Sequence, residues 1–176
     1  MNNFIAAVLL ALALQAAPAG AQTLWKDARY GMSPAEVQAR FPQARVPGDA
    51  DELAGGEIEG LRLQDVDLAG HRFTAAFFFD GDALAQVTLS LRAPREGRVD
   101  LQVFEDVTRA LVARHGAPAH AGQQDEPFER RRREWEVDGT RLALVLFASG
   151  PESLVNVIHQ VGPPDAPPPV RLESGG

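Results

Sequence analysis

Two periodicities divide the chain. The first is helical. Val103, Phe104, Val107, Ala110 and Leu111 recur at the spacing of one helix face, which predicts a helix over about Leu101–His115. Asp100 stands at its cap, Val99 and Phe104 can form a hydrophobic staple, and Gly116 followed by Pro118 ends it. A shorter helix is predicted over about Pro34–Phe41. Ser33-Pro34-Ala35-Glu36 is a capping box with proline at the first helical position, and Phe41 precedes a helix-ending proline. The second periodicity is the two-residue alternation of strands. Leu61–Leu68, His71–Phe79 and Leu84–Leu91 follow the first helix, and Glu129–Val137, Thr140–Phe147 and Leu154–Val161 follow the second. Hairpin turns are predicted at Ala69-Gly70, Asp80-Gly81-Asp82, Asp138-Gly139 and Ser149-Gly150-Pro151.

The two sets of runs align on each other. Gly70 and Gly139, Arg72 and Arg141, Phe73 and Leu142, Phe77 and Leu146, and Phe78 and Phe147 all stand at one constant spacing. A spacing held across two strands and a turn reads as a tandem duplication. The expected fold class is α+β: two α-βββ repeats, about 24–91 and 98–161, forming an antiparallel curved sheet with the helices packed on one face. Trp25, then Gly31-Met32-Ser33-Pro34-Ala35-Glu36-Val37, then Phe41-Pro42 resembles the opening of periplasmic proteins with the beta-lactamase-inhibitor-protein-like or BamE-like fold. That resemblance implies a periplasmic protein whose sheet is a recognition surface. The chain departs from BamE in lacking a lipoprotein cysteine, and from the inhibitor proteins in lacking their disulfides. A tandem cystatin-like or PepSY-like module is the alternative architecture.

Strand parity sorts the side chains into two faces. Phe73, Ala75, Phe77 and Phe79, with Leu142, Leu144 and Leu146, form the face expected against the helices. The other face carries Arg72, Thr74, Ala76 and Phe78, then Arg141, Ala143, Val145 and Phe147, joined by Gln86, Thr88 and Ser90. An antiparallel sheet can leave such a face open, and aromatic and arginine anchors are what a protein-binding surface needs. The competing expectation is that Phe78 and Phe147 are ordinary core residues. The run Glu129–Glu136 places Arg131, Arg133 and Trp135 on one side, a possible grip on an acidic partner. Its competing reading is an edge strand whose charges block edge-to-edge pairing. The candidate partner-binding residues are therefore Arg72, Phe78, Arg133, Trp135, Arg141 and Phe147.

The ends lie outside this pattern. Residues 1–21 read as a Sec-type signal peptide. The apolar stretch Phe4–Leu14 is too short to span a bilayer, and Ala19-Gly20-Ala21 supplies small residues for cleavage before Gln22. Export to the periplasm is expected, with no membrane span. Residues 162–176 form a proline-rich tail, which leaves 22–161 as one folded domain.

Composition narrows the chemistry. The chain has 176 residues, 45% of them hydrophobic, so it is too apolar for a disordered protein. With no cysteine there is no thiol chemistry, disulfide or lipid anchor. A net charge of −7 argues against nucleic acid as a partner. The acidic stretch Asp49–Asp67 starts like a calcium loop, but Leu53, Ala54 and Gly60 fail that pattern. The histidines His71, His115, His120 and His159 have no tight ligand spacing, His120 falls in a loop, and no serine lies in a nucleophile motif. No catalytic residue, metal or cofactor is assigned. The expectation is a non-enzymatic, exported protein that binds another envelope or secreted protein through its sheet, as an inhibitor, assembly factor or scaffold. A small-ligand or lipid carrier, with Phe78 and Phe147 lining a pocket, is the second reading. A hydrolase site at His71 or His159 is the third.

Overall fold

The structure is a computed structural model and describes residues 22–125, 127–162 and 171–172. The expected signal peptide and nearly all of the expected proline-rich tail lie outside the described residues.

Strand and helix form where local chemistry directs them. Helix α1 (Pro34–Arg40) is closed by the expected capping box: the Ser33 amide donates to Glu36 Oε2 at 2.8 Å, and the Glu36 amide is turned toward Ser33 Oγ. The Ser33 hydrogen bonds hold the Glu36 carboxyl below its usual range. Helix α2 (Val99–His115) differs from its expected start. A 3-10 turn (Glu96–Arg98) precedes it, and Arg98 occupies the cap position with φ 57° and makes no side-chain cap. Asp100 lies inside the first turn, fully buried, and accepts from Ser153 Oγ at 2.9 Å. Its end is as expected, with Gly116 at φ 82° donating to Val112 O.

Strands β1 (Thr23–Trp25) and β2 (Ala28–Arg29) form a small hairpin. The main strands are β3 (Glu52–Leu53), β4 (Ile58–Leu68), β5 (His71–Asp80) and β6 (Ala83–Pro94) before α2. After α2 come β7 (His120–Gln124), β8 (Arg130–Val137), β9 (Thr140–Ser149) and β10 (Glu152–Val161). They make one antiparallel sheet in the order β3-β4-β5-β6-β10-β9-β8-β7, with β11 (Arg171–Leu172) paired to β3 at its edge.

This corrects the expected fold class. Of the described residues 53% are strand and 19% helix, so the protein is mainly β and not an α+β tandem of α-βββ units. The physical reason is that the two sets of runs are unequal and merge. α1 has seven residues and buries only Val37, whereas α2 has seventeen and buries Val103, Phe104, Val107 and Leu111. β7, expected as loop, adds a strand after α2 alone, while β1, β2 and β3 precede β4 without counterparts. β6 and β10 then pair along nearly their whole length, Glu152↔Pro94 to Gln160↔Gln86. Buried residues of β1, β2, both helices, β4–β6 and β8–β10 join one continuous hydrophobic cluster from Leu24 to Val157. It holds Phe73, Phe77, Phe79, Leu142, Leu144 and Leu146 on the sheet and Phe104 and Val107 on α2.

The register decides what happens on the other face. β5 and β9 are separated by three antiparallel pairings and so run in opposite directions. One row crosses the sheet as Glu59–Phe78–Gln86–Gln160–Arg141–Glu136. A second row at the opposite end runs Arg92–Leu154–Phe147–Arg130.

Candidate functional site

The first row is a closed end of the open face. Phe78 is 0% exposed and clusters with Leu53 and Ala76, apart from the main core. Arg141 is 2% exposed. In the amide orientation that satisfies its neighbours, Gln160 accepts from Arg141 Nε at 3.2 Å and Nη2 at 2.8 Å, and donates to Gln86 Oε1 at 2.7 Å. Gln86 Nε2 then donates to Thr88 Oγ1 at 2.8 Å, which completes a buried relay over β9, β10 and β6. Burial lowers the Arg141 guanidinium from its ordinary value, and nearby Glu134 offsets part of that.

Beside this row the face opens into a cleft of about 490 Å³ lined by Asp49, Asp51, Glu59, Arg62, Ser90 and Arg92 among others. Arg62 is clamped there. Its Nε and Nη2 donate to the two oxygens of Glu59 at 2.7 and 2.6 Å, and Nη1 donates to Asp49 Oδ1 at 2.8 Å. The Glu59 hydrogen bonds raise the Arg62 guanidinium above its ordinary range. Deeper on the central strands, Ser90 Oγ and Asn156 Oδ1 sit side by side in register, buried and without a hydrogen-bond partner. Such atoms are unusual in a folded chain, and of the two residues Ser90 lines the cleft.

The second row is exposed. Phe147 is 40% exposed and Phe128, in the loop before β8, 54% exposed. Their rings lie 5.8 Å apart at 46°, the tilted geometry that aromatic pairs prefer. Arg130 is the direct cross-strand neighbour of Phe147 and is itself exposed.

The structure thus separates the six sequence candidates. Phe147 is a surface residue. Arg72 is exposed at the end of β5, where its Nη1 donates to Asp65 O at 3.2 Å. Phe78 and Arg141 are buried at the closed end. Trp135 is buried in the main cluster, with Nε1 donating to Gly116 O at 2.9 Å. Arg133 lies over the Phe104 ring at 5.5 Å, on the face that also holds Trp135. Trp135 and Arg133 therefore do not share a surface with Phe147. Alternation missed Glu59 and Arg62 because β4 shifts register twice, around Gly60 and around Asp65, whose φ is 58°. Phe128 stands outside any periodic run, and no sequence signal marked it. The arginine run is not an edge: β7 lies outside β8.

Other chemistry is placed as follows. His71 Nε2 and Asp106 Oδ2 are 3.0 Å apart on the core side. Burial pushes His159 down to about 3, with His115 and Arg114 adding to the shift and a hydrogen bond involving the Leu24 backbone opposing it. No group of three or more acidic or histidine side chains among the described residues is arranged to hold a metal. No helix among them is long and apolar enough to cross a membrane. Comparisons with family models, curated proteins and solved structures return no match for this chain.

Proposed function

We propose that the protein is an exported, non-enzymatic module that binds another envelope or secreted protein through the exposed end of its open sheet face. The observation that carries this reading is the Phe147–Phe128 pair, two large solvent-facing rings in contact, with Arg130 beside them. Aromatic and arginine anchors at the rim of a polar cleft are the composition of an interface hot spot. The resemblance to the beta-lactamase-inhibitor-protein-like and BamE-like proteins is consistent with a sheet used for recognition, and it remains part of this proposal, as does the periplasmic location. The test is site-specific photocrosslinking in the producing cell, with benzoylphenylalanine replacing Phe147, Phe128 or, as a control, the exposed Tyr30. One discrete adduct is expected from the first two positions and none from Tyr30. A folded protein that gives no adduct at Phe147 or Phe128 overturns the reading.

The cleft favours a second reading, a carrier of a small ligand. Its wall is polar, and neither Phe78 nor Phe147 lines it, so the ligand is a polar molecule rather than a lipid. Native mass spectrometry of the purified protein tests this: a retained small mass lost from an Arg92→Ala variant supports it.

A further inference from the structure

We propose that β7 is an acceptor edge for strand addition and that its occupant is an extended acidic segment of a partner protein. The inference goes beyond the open-face reading, because it rests on backbone groups at a sheet edge.

β7 is the last strand of the sheet, and all five of its residues are exposed. It pairs with β8 in unbroken register from His120↔Glu134 to Gln124↔Arg130, without a bulge. Among the described residues no strand pairs with the outer side of β7. Sheets ordinarily protect such an edge with proline, lysine, an inward charge or a bulge, or keep it very short. His-Ala-Gly-Gln-Gln has none of these. The far edge contrasts with it: β3 and β11 are two-residue strands. Main-chain pairing at an open edge is a general mode of peptide capture.

Charge selects the occupant. β8, directly inside β7, carries four consecutive arginines. Two are spent on neighbours, Arg131 on Glu129 and Arg132 on Glu134. Arg130 is exposed on the open face and makes no ion pair with a described residue. On the opposite face Arg133 Nη1 reaches over the edge strand to Gly122 O at 3.5 Å. The β7 residues opposite Arg132 and Arg133 are Gly122 and Ala121, too small to screen them from the edge. An incoming strand lies roughly 5 Å from β7 and roughly 10 Å from β8, a gap that an arginine and a glutamate extended toward each other can bridge. Glutamates at alternate positions meet Arg130 on one face, and those of the other parity meet Arg133. A second copy paired through β7 would instead face arginine with arginine, which like-charge repulsion disfavours.

The test uses the full chain and two labelled octapeptides, (Thr-Glu)4 and (Thr-Lys)4, read by fluorescence anisotropy and by amide hydrogen exchange. The acidic peptide is expected to bind saturably, at least about tenfold tighter than the basic one, with the advantage shrinking at high salt. Protection is expected to rise at residues 120–124. Proline placed in turn at 121, 122 and 123 removes one amide each, and the outward-facing ones should abolish peptide binding in a protein that stays folded. Gly122→Ala is the control: a Cβ there meets nothing within 4 Å, and the amide is kept, so binding should persist. Equal binding of both peptides, no protection on β7, unchanged binding by every folded proline variant, or a dimer held through β7 each overturns the proposal. If the proline variants do not fold, the peptide comparison and the exchange pattern of the unaltered chain decide it.

Discussion

The aligned residues of β5 and β9 have crossed fates. Arg72 and Arg141 match in sequence, yet one is exposed and the other 2% exposed. Phe78 and Phe147 match too, yet the first is wholly buried and the second 40% exposed. The cause is strand direction. β5 and β9 run opposite ways, so Phe78 falls in the same cross-sheet row as Arg141, and Phe147 falls at the other end. Periodicity assigns a side chain to a face, and position along the strand then decides its depth. One end of the open face is a buried polar network, and the other is available to a partner.

The sharpest way to break this comparison is to truncate both phenylalanines. Phe78→Ala should cost about 3–5 kcal/mol of stability in urea unfolding, as a buried aromatic does. Phe147→Ala should cost less than about 1 kcal/mol. Equal costs would mean that the two ends do not differ.

The arginines supply the next contrast. Arg141→Met removes the donors that satisfy Gln160 and should destabilise by about 2 kcal/mol, within the range for charged hydrogen bonds. Arg72→Met should stay within about 0.5 kcal/mol, since its guanidinium is solvated. Unfolding midpoints of the two variants check both.

The closed end should also be the acid-sensitive one. His159, next to Gln160 but facing the core side, is held neutral with its value depressed to about 3, against about 6.5 in an unfolded chain. Below pH 6.5 the unfolded chain takes up a proton that the folded one refuses, so this contribution to stability is full above 6.5 and falls toward pH 3. His159→Gln should flatten the loss of stability between pH 7 and pH 4. An unchanged pH profile would show that His159 is not the group responsible.

The smallest expected effect sits in the matched hairpin turns. Ala69-Gly70 and Asp138-Gly139 adopt the same left-handed pair, with φ 53° and 81° against 52° and 75°. Aspartate tolerates that conformation better than alanine, so Ala69→Asp should stabilise by about 0.5 kcal/mol in thermal or urea unfolding. No gain would show that turn chemistry is not limiting there.

Local chemistry was legible wherever it acts over a few residues. The Ser33 capping box, the Gly116 helix end, the glycine turns and the alternation on β5 and β9 all read directly from neighbouring side chains. The α2 start did not, because Asp100 is drawn inward by Ser153, a residue on a distant strand. β7 was missed because an exposed strand of His-Ala-Gly-Gln-Gln shows no apolar alternation. The β4 side chains were missed because two register shifts break the two-residue period. Of the candidate contact residues, Trp135 had the right chemistry but the wrong face, with its indole used inside the core.

By itself the sequence determined the two helices and the six long strands, where the hairpin turns between them fall and which side chains of β5 and β9 share a face, because these depend on backbone sterics and short-range periodicity. Only the tertiary structure decided that the strands fuse through β6 and β10 into one mainly β sheet, and that β7 rather than the arginine strand is its edge. It also decided which of two matched residues is buried. Those outcomes depend on strand direction and on pairings between residues far apart in the chain, which no local pattern encodes.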